Sequence, residues 1–462
     1  MLPDDALLSI FEFCANEEET RLQQVWQTLV HVCRQWRSLV FGSPRSLNLQ
    51  LLCTSRTPAR DMLDLWPPLP LVIRSYYILG PYAIQNVDNI VAVLEHRNRV
   101  CQIYIEDISS SHLEKVCAAM EEPFPELTHL TLWSYEKPMA VVPNSFLGGS
   151  APLLQYLWLD GIPFPGLPKL HLSSTHLTDL RLKQIPHSGY ISPEAIATAL
   201  STLTSLSIFY LEFQSPLSLP DRATRRPPPS KRFVLPVLID FGFKGVDEYL
   251  EDLVVRIDAP LLKRLGITFF NQILFDTPQL IQFISRTSAL RVHETARIIF
   301  EDDAATIELL SRGSGYSNII VRILCETSDW QVSSLEQVCT WCLPPLFTLE
   351  DLYISEDQYP RLDWQGNVED TLWLELLQPF ATVNTLYLSK EFGPRIMPSL
   401  QELVGERTAE VLPSLQNIFL EGLETSGPVQ DGIQQFVATR QASHPIAISS
   451  WDGEVPKSEV DY

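Results

Sequence analysis

Cys339 and Cys342 stand in the run CTWC, the spacing at which two thiols exchange electrons or share a zinc ion. A structural zinc site needs a second matched pair, and none follows. The preceding SLEQV has the pattern of a helix, so the pair reads as buried structural thiols. HETAR begins at His293 like the first half of a zinc-protease helix, but Arg297 stands where the second histidine belongs. GSGYSN at Gly313 has two glycines of a dinucleotide fingerprint without the third, and it follows a helical pattern instead of a strand. The carboxylate runs NEEET and Glu301 to Asp303 read as solvated loop charge. There is no G-x-S-x-G elbow and no phosphate-binding loop. The expectation is a chain that is no enzyme and holds no cofactor or metal. An unrecognised hydrolase would instead lose activity on mutation of a single buried polar group.

The chemistry the residues do offer is that of a binding surface. An apolar triplet of the form LxxLxL recurs at Val100, Leu127, Leu154, Leu177, Leu203, Leu238, Leu262, Leu349, Val383 and Leu415. In a strand the second and third apolar residues point into the core, so the residue between them points to the opposite face. That column reads Tyr104, Thr131, Trp158, Arg181, Ser207, Gly242, Gly266, Tyr353, Tyr387 and Phe419, with Trp133, Asp160, Asp179, Lys183 and Phe209 beside it. Aromatic side chains mixed with arginine are the composition of interface hot spots. The candidate target-binding residues are therefore Tyr104, Trp133, Trp158, Arg181, Tyr353, Tyr387 and Phe419.

The elements positioning this column follow from the spacing. The first four intervals are 27, 27, 23 and 26 residues and the next is 35, against about 20 to 29 for leucine-rich repeats. Between Leu262 and Leu349 two degenerate repeats are expected, with strands near ARIIFE and IIVRILC. Helix starts are signalled by Ser111 with Glu114, by Ser192 before Pro193, and by Thr277 before Pro278. A strand, loop and helix in each unit expose an apolar face that stacking buries, which predicts a curved α/β solenoid with a parallel sheet on its concave face over 100–448. The proline-rich tract 43–99 is expected to be a packed connector, with Trp66 covering the first edge of the array. A mobile basic loop is expected at 220–232 and a disordered acidic tail at 449–462.

The segment 1–42 differs from everything after it. Leu7, Ile10, Phe11 and Cys14 recur at helical spacing, as do Leu29, Val32, Cys33, Trp36 and Val40, which predicts two or three short amphipathic helices. So small a segment needs a partner chain, the array behind it, or both to cover its apolar faces. LPDDALLSIFEFC followed by LVHVCRQWRSL resembles the F-box, and the stretches beyond it resemble fungal proteins, especially of mushroom-forming species, that join an F-box to irregular leucine-rich-like repeats. The resemblance implies docking of a Skp adaptor by Leu2, Pro3, Leu7, Ile10, Phe11, Val32 and Trp36. It also implies a cullin scaffold and an unknown protein target held by the repeats for ubiquitin transfer. The alternative is a scaffold or sensor without a ligase, in which the helical segment is only a cap.

Lys plus Arg number 34 against 56 Asp plus Glu in 462 residues, a formal net charge of −22 that opposes general binding to nucleic acid or anionic membranes. The eight cysteines are scattered as reduced thiols would be, and no apolar run reaches the length of a membrane span. A cytoplasmic or nuclear protein without membrane partners is the expectation.

Overall fold

The computed structural model describes residues 3–15, 19–43, 47, 49–55, 59–75, 87–167, 174–218, 232–272, 274–311, 317–344, 346–357, 368–401, 411–422 and 446–453. The chain divides into two compact units, Met1–Ile191 and Ser192–Tyr462.

The first unit opens with three helices, α1 (Asp4–Ala15), α2 (Glu19–Val32) and α3 (Arg34–Gly42). Asp4 and Asp5 occupy the first turn of α1, where carboxylates face the positive helix end. Cys33 is extended, which separates α2 from α3, and its sulfur accepts from the Trp36 amide at 3.4 Å. Leu7 and Phe11 are buried, with the Phe11 ring edge-on to Trp36 at 4.8 Å. They form the core of this head.

A parallel sheet follows in chain order: β1 (Leu51–Cys53), β2 (Leu71–Ser75), β3 (Val100–Ile105), β4 (His129–Trp133), β5 (Tyr156–Asp160) and β6 (Asp179–Ile185). Helices α4 (Ala59–Leu65), α5 (Val87–Leu94) and α6 (Ser110–Ala119) lie between strands. The tract 43–99 is thus no mere connector, because β1 and β2 already belong to the sheet. Trp66 directly follows α4. Its ring meets Trp26 edge-on at 5.1 Å and Phe41 at 6.4 Å, and Trp26 donates to the Gln50 carbonyl, so these rings fasten the head to the sheet's first strands. Helix α6 is capped by Ser109, whose hydroxyl accepts from the His112 amide, instead of by Ser111.

The second unit contains α7 (Pro193–Leu200), β7 (Ile208–Phe213), β8 (Phe233–Val234), β9 (Asp240–Gly245), α8 (Asp247–Val254), β10 (Ile257–Asp258), β11 (Arg264–Phe269) and α9 (Pro278–Arg286). It continues through β12 (Thr295–Phe300), β13 (Ala304–Leu310), β14 (Ser317–Leu324), α10 (Ser328–Trp341), β15 (Asp351–Glu356), α11 (Asp370–Leu377), β16 (Thr385–Leu388), α12 (Gly393–Gln401), β17 (Asn417–Glu421) and β18 (Ala447–Trp451). Ser192 caps α7 through a bond from the Ala195 amide, with Pro193 next, as its sequence predicts. Thr277 stands at the N-cap position of α9 with Pro278 next, as its sequence predicts, but its side chain makes no cap bond. Its hydroxyl donates to the Trp341 carbonyl, and the Glu251 carboxylate receives the Gln279 and Leu280 amides instead.

The main sheet of this unit runs β7-β9-β11-β14-β13-β12-β15-β16-β17-β18, while β8 and β10 pair separately. Two repeats were expected between Leu262 and Leu349, and both strands exist, but they are not successive parallel repeats. β13 runs antiparallel to both β12 and β14, so the chain doubles back and places β14 beside β11 and β12 beside β15. Every residue of β13, AATIELL, is buried. The frame at Leu203 also shifts: Phe209, Leu211 and Phe213 point inward and Phe209 pairs with Phe241, so Leu206 begins the triplet there. Ser449 to Trp451, expected in a disordered tail, lie in β18, parallel to β17. Of the basic loop 220–232 only Arg232 lies among the described residues. No helix among the described residues is long and apolar enough to cross a membrane.

Candidate interaction faces

Alternation along each strand sends one set of side chains against the helices and the next to the open side. Ile103, Leu130, Leu157 and Leu180 are wholly buried, and the residue after each forms an in-register row, Tyr104, Thr131, Trp158 and Arg181. Arg74 precedes Tyr104 in that row, its guanidinium carbon 5.0 Å from the ring centre. Arg181 is held by two bonds of 3.0 Å to Asp179 and lies 5.7 Å from the Trp158 ring centre and 5.8 Å from that of Tyr156. This row is the one its spacing predicts.

A flanking row carries His129, Tyr156 and Asp179 in register. The His129 ring stacks on Tyr156 at 5.9 Å and leans toward Tyr104 at 6.4 Å. Burial pushes the Tyr156 hydroxyl up to about 12. On the other flank Trp133 pairs with Asp160, and its ring meets the exposed Tyr135 edge-on at 4.6 Å. His129 and Tyr156 were missed as site residues, although each stands two positions before a member of the row.

In the second unit the row reads Tyr210, Gly242, Gly266, Ile320, Glu308, Arg297, Tyr353, Tyr387, Phe419 and Ser449. Ser207 and Phe209 leave the predicted surface because of the frame shift, and Phe209 stacks on Phe241 in the core at 5.4 Å. Tyr210 takes the place in the row, donating to Asp240, which also receives Arg264. Tyr353, Tyr387 and Phe419 form a ladder with centres 4.1 and 4.8 Å apart and nearly parallel planes. Trp451 lies edge-on to Tyr353 at 5.9 Å and to Tyr387 at 5.6 Å, so part of the ladder is covered by the chain itself.

Among the described residues no group of three His, Cys, Asp or Glu side chains is placed to hold a metal. Cys339 and Cys342 are buried, and burial drives both thiols upward, Cys342 to about 12. His293 is buried and precedes strand β12, not a helix. Glu301 is no solvated loop charge: it accepts from Thr306 and Arg322, and burial raises its pKa.

Of the residues expected to dock an adaptor, Leu7 and Phe11 are buried within the head. Trp36 is half-buried against Phe11, Pro3 is exposed, and Leu2 lies outside the described residues. Ile10 is 44% and Val32 57% exposed, and Phe13, which was not singled out, is 70% exposed. Ile10 and Phe13 stand three apart on α1 and so share a face.

No family model and no curated protein matches the sequence. Among solved structures, the leucine-rich repeat-containing protein LegL7 of Legionella pneumophila aligns with 78% of this chain and 95% of its own at 12% identity and a TM-score of 0.27. An internalin, inlF, of Listeria monocytogenes aligns with 97% of this chain and 95% of its own at 10% identity and a TM-score of 0.25. Both scores are low.

Proposed function

We propose that this chain is a target-recognition adaptor of a cullin-RING ubiquitin ligase, with the three-helix head docking a Skp-family adaptor and the strand array presenting a protein target. The array performs no chemistry in this reading; it tethers the target beside a ligase so that transfer becomes effectively intramolecular. One observation supports the docking step above others. The head buries Leu7 and Phe11 yet leaves Ile10, Phe13 and Val32 exposed, an apolar excess that a folded head does not need for itself and that a partner chain would cover. The rings and arginines on the open side of β3 to β6 are the candidate target surface.

The test is a binding assay between a purified Skp adaptor and the full chain, with Ile10→Glu and Phe13→Glu as variants checked by circular dichroism. Point changes are preferable to deleting 1–42, since deletion would strip Trp66 of Trp26 and Phe41. Binding by the full chain that both folded variants lose supports the adaptor. A folded full chain that does not bind favours a second reading, a repeat scaffold capped by the head, for which the Trp26, Phe41 and Trp66 cluster speaks.

A further inference from the structure

We infer that β17 and the ladder of Tyr353, Tyr387 and Phe419 form a second docking site, for an extended segment of a partner protein. The segment pairs parallel to β17, alternates aliphatic with aromatic residues and ends on a tryptophan. In the free chain β18 occupies this site as a self-ligand. The site adds to the target-binding reading above without using the head or the face of β3 to β6, so the two stand or fall separately.

The columns crossing the sheet show where β18 fits and where it falls short. On the core side Leu352, Leu386 and Ile418 are in register with Ile448, a matching residue. Ile354, Leu388 and Leu420 are in register with Ser450. On the open side Tyr353, Tyr387 and Phe419 are in register with Ser449. Two apolar columns therefore end on a serine. Trp451, two residues past Ser449 and on the same side of the strand, reaches back across the ladder to Tyr353 at 5.9 Å and Tyr387 at 5.6 Å.

β18 is also weakly tied to the core. None of its five residues is buried, whereas Ile418 and Leu420 of β17 are 0% and 3% exposed. A strand fastened by ladder hydrogen bonds and one half-buried indole opens more readily than its neighbours. Its departure leaves N–H and C=O groups on the β17 edge that template an incoming strand. An incoming segment with an aromatic residue at the place of Ser449 and an aliphatic one at the place of Ser450 keeps the backbone pairing and extends both columns, against Phe419 and Leu420. Because β18 is tethered to the site it competes at high effective concentration, so only a segment making these added contacts displaces it.

The experiment is fluorescence anisotropy of labelled IAIYLWDG, the chain's own 446–453 with both serines replaced, and of a reordered peptide of the same composition. Each is titrated with the full chain, with Trp451→Ala and with the double variant Ser449→Tyr, Ser450→Leu, all checked by circular dichroism and thermal melts. Ser450→Leu alone replaces the double variant if that chain does not fold. Saturable binding of IAIYLWDG to the native chain is expected. Trp451→Ala should tighten it roughly tenfold, because the competing strand loses its indole contacts. The double variant should weaken it about tenfold or more and raise the melting temperature, because its own strand now makes the added contacts. No binding to folded Trp451→Ala, equal binding by the native chain and Trp451→Ala, or equal binding of the reordered peptide overturns the proposal. So does undiminished binding by the double variant, which places the peptide on the outer edge of β18 instead. No Skp adaptor enters this assay, so its failure leaves the adaptor reading standing, and loss of adaptor binding leaves this site standing.

Discussion

Arg297 on β12 and Glu308 on β13 face each other in register, Nη1 to Oε2 at 3.3 Å, with side chains only 4% and 9% exposed. The pair sits where the antiparallel strand is spliced into the parallel sheet, and burial lowers the proton affinity of the guanidinium. Glu308→Ala should therefore destabilise the chain by about 3–5 kcal/mol by leaving a buried cation, whereas Arg297→Met with Glu308→Leu should be neutral or stabilising. Thermal melts of the three chains check the ordering.

His293 is 3% exposed and burial holds it down at about 4, against an ordinary 6.5. The unfolded chain therefore binds a proton that the folded chain refuses. Stability from this group is full above pH 6.5 and is lost as the pH falls toward 4, by about 3 kcal/mol at most. Melting temperature against pH should fall more steeply for the native chain than for His293→Leu.

Asp247 has the opposite sign. Burial, foremost, and the neighbouring Glu248 raise its carboxyl to about 7, against an ordinary 3.8. Folding then favours the protonated form, so this contribution is full below pH 3.8 and is lost as the pH rises through 7. Asp247→Asn should gain stability relative to the native chain as the pH is raised from 4 to 8. A constant difference across that range would refute the assignment.

Leu7 and Ile10 are one helical turn apart on α1 but have different roles. Leu7→Ala should cost about 2–5 kcal/mol by opening a cavity, while Ile10→Ala, at an exposed position, should stay within about 0.5 kcal/mol. Local melting of the head by hydrogen exchange distinguishes the two.

Gly242 and Gly266 are adjacent in one row and should respond oppositely to alanine. A Cβ on Gly242 would collide with the Tyr210 ring, whereas at Gly266 nothing lies within 4 Å. Gly242→Ala should destabilise by about 1–3 kcal/mol and Gly266→Ala should stabilise by about 0.5–1 kcal/mol, readable from the melting temperatures.

The sequence alone determined the local elements and much of the open face. Period-two alternation and the recurring LxxLxL triplet place Tyr104, Thr131, Trp158 and Arg181 on one row, and Tyr353, Tyr387 and Phe419 on another, because side-chain direction in a strand depends only on neighbours along the chain. Only the tertiary structure decided which partner each strand found. AATIELL satisfies the triplet at Ala304, Ile307 and Leu309, so the pattern does not reveal that this strand runs antiparallel; that depends on its pairing with β12 and β14. The frame at Leu203 was ambiguous because two overlapping triplets, from Leu203 and from Leu206, both satisfy the pattern, and packing of Phe209 on Phe241 selects the second. Likewise helical spacing puts Leu7, Ile10 and Phe11 on α1 without saying which meet the head's own core. That division is fixed by where α2 and α3 lie, a long-range relation that no local periodicity encodes.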